Sequence, residues 1–224
     1  AAMIFLMIIT LIFIGGYPFK YLLGIGFSGI ILFALFFLTV KNYPDLMPNR
    51  IDTWVSRIEN FSSSENAENN YQILRAKSAI ASGMMFGVGA GKSSMKNILP
   101  QSTSDFIYAI ITEEYGTIGA IGVLFLYILL LFRIIIVSYK SNTVFGQLLA
   151  LGAGLPIIFQ AFINMGVAVQ LFPVTGQPLP LISTGGTSIW MTFLALEIVL
   201  SVSSKESTEN LNNENPLNIL SETE

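Results

Sequence analysis

Two stretches without a single charged residue, Tyr21 to Val40 and Val144 to Phe172, most constrain what this chain can fold into. Each reaches or exceeds the roughly 20 residues that an α-helix needs to cross the hydrocarbon layer of a bilayer. Charged residues are only 11% of the 224, against about 25% in a soluble domain, and the mean hydropathy is +0.67. These features predict an all-α polytopic membrane protein of about six transmembrane or re-entrant helices. The absence of cysteine and histidine excludes a disulfide framework, a thiol nucleophile, a Ser-His pair and a His-ligated zinc or haem site. Acid or base chemistry is left to carboxylates, lysine, tyrosine or a lipid substrate.

Spans are expected near residues 1–14, 21–40, 71–91, 105–137, 144–166 and 184–202. The first starts inside an apolar run, without methionine or a basic leader, and ends at Gly15-Gly16-Tyr17-Pro18, which predicts a chain truncated at its N-terminus. Lys41-Asn42-Tyr43-Pro44 closes the second with charge and a helix breaker. Residues 41–70 read as a polar surface segment in which Trp54 suits a headgroup layer. Residues 71–91 are the hardest. Arg75 and Lys77 occupy the first turns and glycines the end, so the apolar middle, Ala79 to Val88, is about ten residues long, and a re-entrant or interfacial helix is the alternative to a span. At the C-terminus Lys205 stands with Glu206, Glu209, Glu214, Glu222 and Glu224, so residues 204–224, read as a disordered cytoplasmic tail, carry −4 and the rest of the chain +1, for a net of −3.

Orientation follows from lysine and arginine. With the 41–77 connector in the cytoplasm, alternating spans place Lys41, Arg50, Arg57, Arg75, Lys77, Arg133, Lys140 and Lys205 inside, and Lys20, Lys92 and Lys96 outside. Loops 92–104 and 167–183 then share the extracytoplasmic face. This arrangement requires residues 71–91 to cross.

Two motif-like strings fail on inspection. Gly87-Val88-Gly89-Ala90-Gly91-Lys92-Ser93 lacks the glycine spacing and the preceding strand of a phosphate-binding loop, and its glycines suit a helix end with tight turns. Ser93-Ser94-Met95-Lys96 spells S-x-x-K without the partner motifs that give it meaning. The stretch Leu99-Pro100-Gln101-Ser102-Thr103-Ser104-Asp105 to Glu113-Glu114-Tyr115-Gly116 is more informative, because it sets three carboxylates beside an apolar span. Asp105 can serve as a first-turn acid favouring the helix dipole, or it can be functional, since ionisable groups at membrane depth are costly; composition leaves both readings open. On a continuous helix Asp105 and Glu113 lie roughly 12 Å apart, too far for a paired acid and base. Asp105 sits at the loop mouth, while Glu113 and Glu114 lie deeper and are expected to meet a buried partner or hold the loop.

Residues 173–188 contain three prolines and three glycines before the last span. Backbone freed in this way needs protein or water partners, so the segment is expected to line a cavity shared with Asp105. Gln160 and Asn164, at i and i+4, share one helix face and can bond across. Glu197 is an isolated carboxylate inside the last span.

At Tyr71-Gln72 with Gly87-Val88-Gly89, Leu99-Pro100…Asp105-Phe106-Ile107 with Glu113-Glu114-Tyr115-Gly116, Gln160-Ala161-Phe162-Ile163-Asn164-Met165-Gly166-Val167, and Pro173…Gly176…Leu179-Pro180…Ser183…Gly185-Gly186, the chain resembles the SEDS family of polytopic membrane proteins (FtsW, RodA, SpoVE). The resemblance covers residues 1–203 and the C-terminal six of the family's ten spans. Pro173 to Pro178 and Gly185 to Ser188 are more similar to the FtsW branch than to RodA. The resemblance implies a peptidoglycan glycosyltransferase that polymerises lipid II during septal cell-wall synthesis in cell division, in the bacterial inner membrane. The implied partners are a class B penicillin-binding protein, other division proteins and membrane lipid, with no nucleic acid.

The essential aspartate of the family falls on Asp105 as general base. Lys92, Lys96, Gln101, Ser183, Gly185 and Gly186 are the expected substrate-binding residues, and Glu113, Glu114, Gln160, Asn164 and Pro180 the supporting ones. Gln101 replaces a glutamate that many relatives carry. Positive charge for the diphosphate leaving group is expected from Lys92 and Lys96 or from a divalent cation, Mg or Mn; no cofactor is otherwise implied. A lipid-precursor transporter and a non-catalytic division scaffold are the competing classes.

Overall fold

A computed structural model describes residues 2–42, 67–94 and 104–214. Their helices are α1 (Ala2–Ile14), α2 (Phe19–Asn42), α3 (Ala67–Gly83), α4 (Ile107–Lys140), α5 (Val144–Ala168) and α6 (Gly186–Glu214). The expected stretches around Trp54, Lys96 and Gln101 lie outside the described residues, as do residues 215–224.

Local chemistry explains most of the boundaries. Gly16, at φ 85°, and Pro18 end α1 and start the turn into α2. Thr143 caps α5, its hydroxyl accepting from the Gly146 amide at 3.1 Å. The core lies among α4, α5 and α6, where Tyr127, Ile134, Leu151, Ile158, Met165 and Val199 are buried, and Leu11 of α1 packs against it. Helices α4 and α5 pack tightly where Gly154 faces Ile134: a Cβ on Gly154 would stand 2.7 Å from the isoleucine methyl. Among the described residues, four helices are long and apolar enough to cross a membrane: Phe19–Phe36, Ile107–Lys140, Val144–Ala168 and Gly186–Lys205. Ile4–Ile14 is a shorter apolar helix.

Three expectations are corrected. The span expected at 71–91 is not one: α3 stops at Gly83 and the chain turns. Its turn packs on residues 112–118, with Val88 and Gly89 amides donating to Glu113 and Glu114 carbonyls. The helix expected from 105 begins at Ile107 and is broken at Gly116 (φ 70°, ψ −169°). The 24 residues beyond the break rise roughly 36 Å, enough to cross the hydrocarbon without the segment before it. The described residues before the break, 67–94 and 104–115, are therefore not needed for that crossing. Finally, α6 runs on to Glu214 through half of the tail expected to be disordered. Extending an existing helix escapes the nucleation cost that the same polar residues would face alone.

The orientation expected from lysine and arginine rests on residues 71–91 crossing, and α3 with the turn after it does not form a helix long enough for that crossing.

Candidate functional site

The break at Gly116 gives α4 a short first segment, Ile107 to Tyr115, that stands apart from the long apolar body. Asp105 precedes that segment. The N-cap is Phe106, without a side-chain bond, so Asp105 stands just before the helix rather than in its first turn. Its carboxylate is half-buried and accepts from the Ser104 hydroxyl at 2.8 Å.

What places Asp105 is the segment between α5 and α6, the return loop of residues 173–185. Asn164, 1% exposed, donates from one amide nitrogen to the Asp105 carbonyl at 2.9 Å and to the Gln177 carbonyl at 2.6 Å. One turn earlier Gln160 donates to the Pro178 carbonyl at 2.9 Å, so this i, i+4 pair does share a face, and it bonds loop carbonyls rather than another helix. The hydroxyl of Tyr127 donates to the carbonyl of buried Pro180. Ser183, 3% exposed, donates to the Ser104 carbonyl at 2.6 Å and accepts from the Leu179 amide at 2.7 Å. The prolines remove donors from this loop: the Leu179 carbonyl accepts from the Ile182 and Ser183 amides within it, while the carbonyls of Gln177, Pro178 and Pro180 are met by side chains of α5 and α4. Asp105, expected to share a cavity with residues 173–188, is joined to that segment through the Asn164 and Ser183 hydrogen bonds.

Gly176 faces the carboxylate. It adopts φ 67°, and a Cβ on it would lie 3.5 Å from Asp105 Oδ2. Leu181 adopts a left-handed φ of 69° and is 42% exposed, an uncommon backbone state for leucine at the rim of the loop. Gly185 and Gly186 open α6; a Cβ at Gly186 would meet nothing within 4 Å, and at Gly185 only Ser188 at 3.4 Å. Neither glycine is required by the protein's own packing.

Glu113 belongs to a second junction. It is 1% exposed, and its carboxylate accepts from the Ser93 hydroxyl, from the Ser94 hydroxyl at 2.9 Å and from the Ser94 amide at 3.1 Å. It holds the loop, as expected of it, through the two serines of the string that spells S-x-x-K. Glu114 is half-buried and contributes its carbonyl. Lys92 is exposed, with its amide donating to the Gly89 carbonyl and its side chain against Gly89; neither contact joins it to Asp105. Glu197 is exposed on α6.

Three contributors were not singled out from sequence: Ser104, Tyr127 and Gln177. Gln177 Oε1 and Asn164 Oδ1 are buried acceptors with no hydrogen-bond partner. Gln177 lies inside the Pro/Gly-rich block, which was the available signal. Ser104 and Tyr127 carry none, because their roles depend on carbonyls distant in sequence.

A family model described as "Cell cycle protein" (FtsW/RodA/SpoVE) matches residues 1–208. The chain is 36% identical over 196 residues to a probable peptidoglycan glycosyltransferase FtsW of Hydrogenovibrio crunogenus, covering 81% of this chain and 50% of that one. It is 35% identical over 205 residues to the protein of the same description from Bacillus subtilis, with 86% and 51% covered. The stage V sporulation protein E of Bacillus subtilis is 34% identical over 202 residues, with 87% and 51% covered. Among solved structures, a chain from work on how a peptidoglycan synthase complex coordinates polymerization and crosslinking superposes with a TM-score of 0.66 at 28% identity, covering 88% of this chain and 52% of that one. The chain thus spans about half the length of the curated relatives it matches.

Proposed function

Since the chain belongs to the FtsW/RodA/SpoVE family of cell cycle proteins, we propose that it is part of a peptidoglycan glycosyltransferase that polymerises lipid II in septal wall synthesis, with Asp105 as general base. The observation that carries this reading is the Asn164 clamp. One buried amide ties the main chain of Asp105 to that of Gln177, fixing a half-buried carboxylate at the meeting point of two loops. Asp105 takes the proton from the acceptor sugar 4-hydroxyl as that oxygen attacks the anomeric carbon; the diphosphate leaves with its electron pair. A base held this way keeps its aim through the reaction without reordering.

The leaving diphosphate needs positive charge. The first turn of α6 at Gly185 and Gly186 offers amides with no partner inside the helix and the positive end of its dipole, and Lys92 and Lys96 add positive charge. Among the described residues no three of His, Cys, Asp and Glu gather in one place. Asp105 and the unpartnered oxygens of Asn164 and Gln177 are hard oxygen donors of the kind a divalent cation, Mg or Mn, takes together with water or substrate phosphate. Such a cation would supply charge neutralisation to the diphosphate.

The site face is assigned to the outside of the inner membrane. Long stretches translocate largely regardless of charge, so the basic residues between Asn42 and Ile107 carry little weight, and Lys20, Arg133, Lys140 and Lys205 gather at the opposite face. A class B penicillin-binding protein and other division proteins are the partners this role calls for.

The test is polymerisation of labelled lipid II by the purified full-length protein with its partner. Asp105→Asn, which keeps shape and removes basicity, is expected to abolish polymer while leaving expression and partner binding near normal. Substantial polymer from the folded variant would remove Asp105 as the base. Polymer lost equally with precursor translocation, in vesicles, would favour a transporter.

A further inference from the structure

The turn after α3 takes no part in the site, yet its chemistry is unusual. Met84, Met85 and Phe86 are 77%, 65% and 80% exposed in consecutive positions, and Met84 is in the left-handed region at φ 44°. The backbone beneath them is bonded to protein rather than left to water. Met84 O accepts from the Thr117 amide at 2.9 Å and its hydroxyl at 2.8 Å, and Met85 O from the Ile118 amide at 3.4 Å. The next three amides, of Gly87, Val88 and Gly89, donate to the carbonyls of Gly83, Glu113 and Glu114. Irregular backbone with its polar groups satisfied internally and only apolar side chains outside is what hydrocarbon demands; water demands neither.

The helix to which the turn is tied sets its depth. Arg133 is exposed near the far end of α4, and a charged head marks the edge of the apolar layer or snorkels toward it. From Arg133 back to Thr117, within the unbroken part of α4, the helix rises roughly 24 Å against the roughly 30 Å of the hydrocarbon core, so Thr117 and Ile118 lie about 6 Å inside the near edge. Snorkelling by Arg133 shifts this by about one turn and still leaves them at the edge. Ile118, 54% exposed, continues the apolar surface from the turn onto α4.

We propose that Met84–Phe86 is inserted among the acyl chains of the leaflet on the Asp105 side, making residues 67–94 a re-entrant element whose partner is bilayer lipid. The inference stands independently of the glycosyltransferase reading. The experiment places single cysteines by Met84→Cys and Phe86→Cys in the full-length protein, attaches a spin label, and reconstitutes each in phosphatidylcholine–phosphatidylglycerol vesicles. Collision with oxygen is expected to exceed collision with a water-soluble nickel chelate several-fold. That pattern matches a lipid-facing reference at Leu126→Cys and reverses an aqueous reference at Lys92→Cys. A nickel-dominated signal would overturn the proposal in favour of a turn in water. Protection from both reagents would overturn it in favour of coverage by protein. The two positions are read separately, so failure of one variant to reconstitute leaves the other decisive.

Discussion

The junction at Asp105 and the junction at Glu113 stand at the same end of the bundle and are made differently. At Asp105, side chains from α4 and α5 reach across to carbonyls of a proline-rich loop: Tyr127 to Pro180, Gln160 to Pro178, Asn164 to Gln177 and Asp105. At Glu113, backbone lies on backbone. Gly83 faces the Thr112 carbonyl, Gly87 the Glu114 carbonyl, and Gly116 the Met85 carbonyl, with no room for a Cβ at any of them. The first design leaves a carboxylate at a partly open position; the second seals one inside. A junction of long side chains can yield by a rotamer, whereas one of glycines cannot yield at all without moving two chains.

The sharpest test of this contrast is Gly116→Ala. Its Cβ would collide with the Met85 carbonyl and stand 2.5 Å from the Gly87 amide, at a φ of 70° that alanine rarely adopts. A loss on the order of 3 kcal/mol or more is expected, seen as collapse of the unfolding midpoint in detergent. An unchanged midpoint would mean that the interlock is looser than the geometry implies.

Glu113→Ala comes next, with about 2–3 kcal/mol lost as three donors from Ser93 and Ser94 are left facing a void. Hydrogen exchange is expected to rise across residues 83–94, and Glu113→Gln, which retains the shape, should recover part of both effects. Asn164→Ala is expected to cost about 1–3 kcal/mol by stranding two carbonyls, with exchange rising in the return loop and not in 83–94. Exchange rising in both places would erase the distinction between the two junctions. The smallest effect belongs to Gly186→Ala. Nothing lies within 4 Å of its Cβ, so stability should hold within about 0.5 kcal/mol. A fall in lipid II use at constant stability is expected if ligand approaches that backbone; unchanged kinetics would leave Gly186 as a plain helix start.

Much of the site was legible because its signals are local. Asp105 stands at the mouth of an apolar run, Gln160 and Asn164 repeat at helical spacing, and the prolines of 173–188 announce carbonyls in need of donors. The prediction that Asp105 and Ser183 share a face holds, with Ser183 donating to the carbonyl next to Asp105. The topology used to reach it ran through a helical crossing at 71–91, where α3 stops at Gly83 and the chain turns. Ser93 and Ser94 were dismissed with the motif they spell, and they matter for a reason no motif encodes: their hydroxyls face a carboxylate 19 or 20 residues away.

By itself, then, the sequence determined where the chain can cross lipid and which segments cannot be regular helix. Uncharged length and proline density act through the cost of desolvating charge and through the missing amide, and both are properties of a few neighbouring residues. Only the tertiary structure decided that Gly116 breaks α4, that the segment after α3 turns back against that break, and that Asn164 joins two distant carbonyls. Each of these is a contest between alternative partners for the same backbone groups. It is settled by which surfaces come close enough to satisfy them, and the order of residues does not specify that distance.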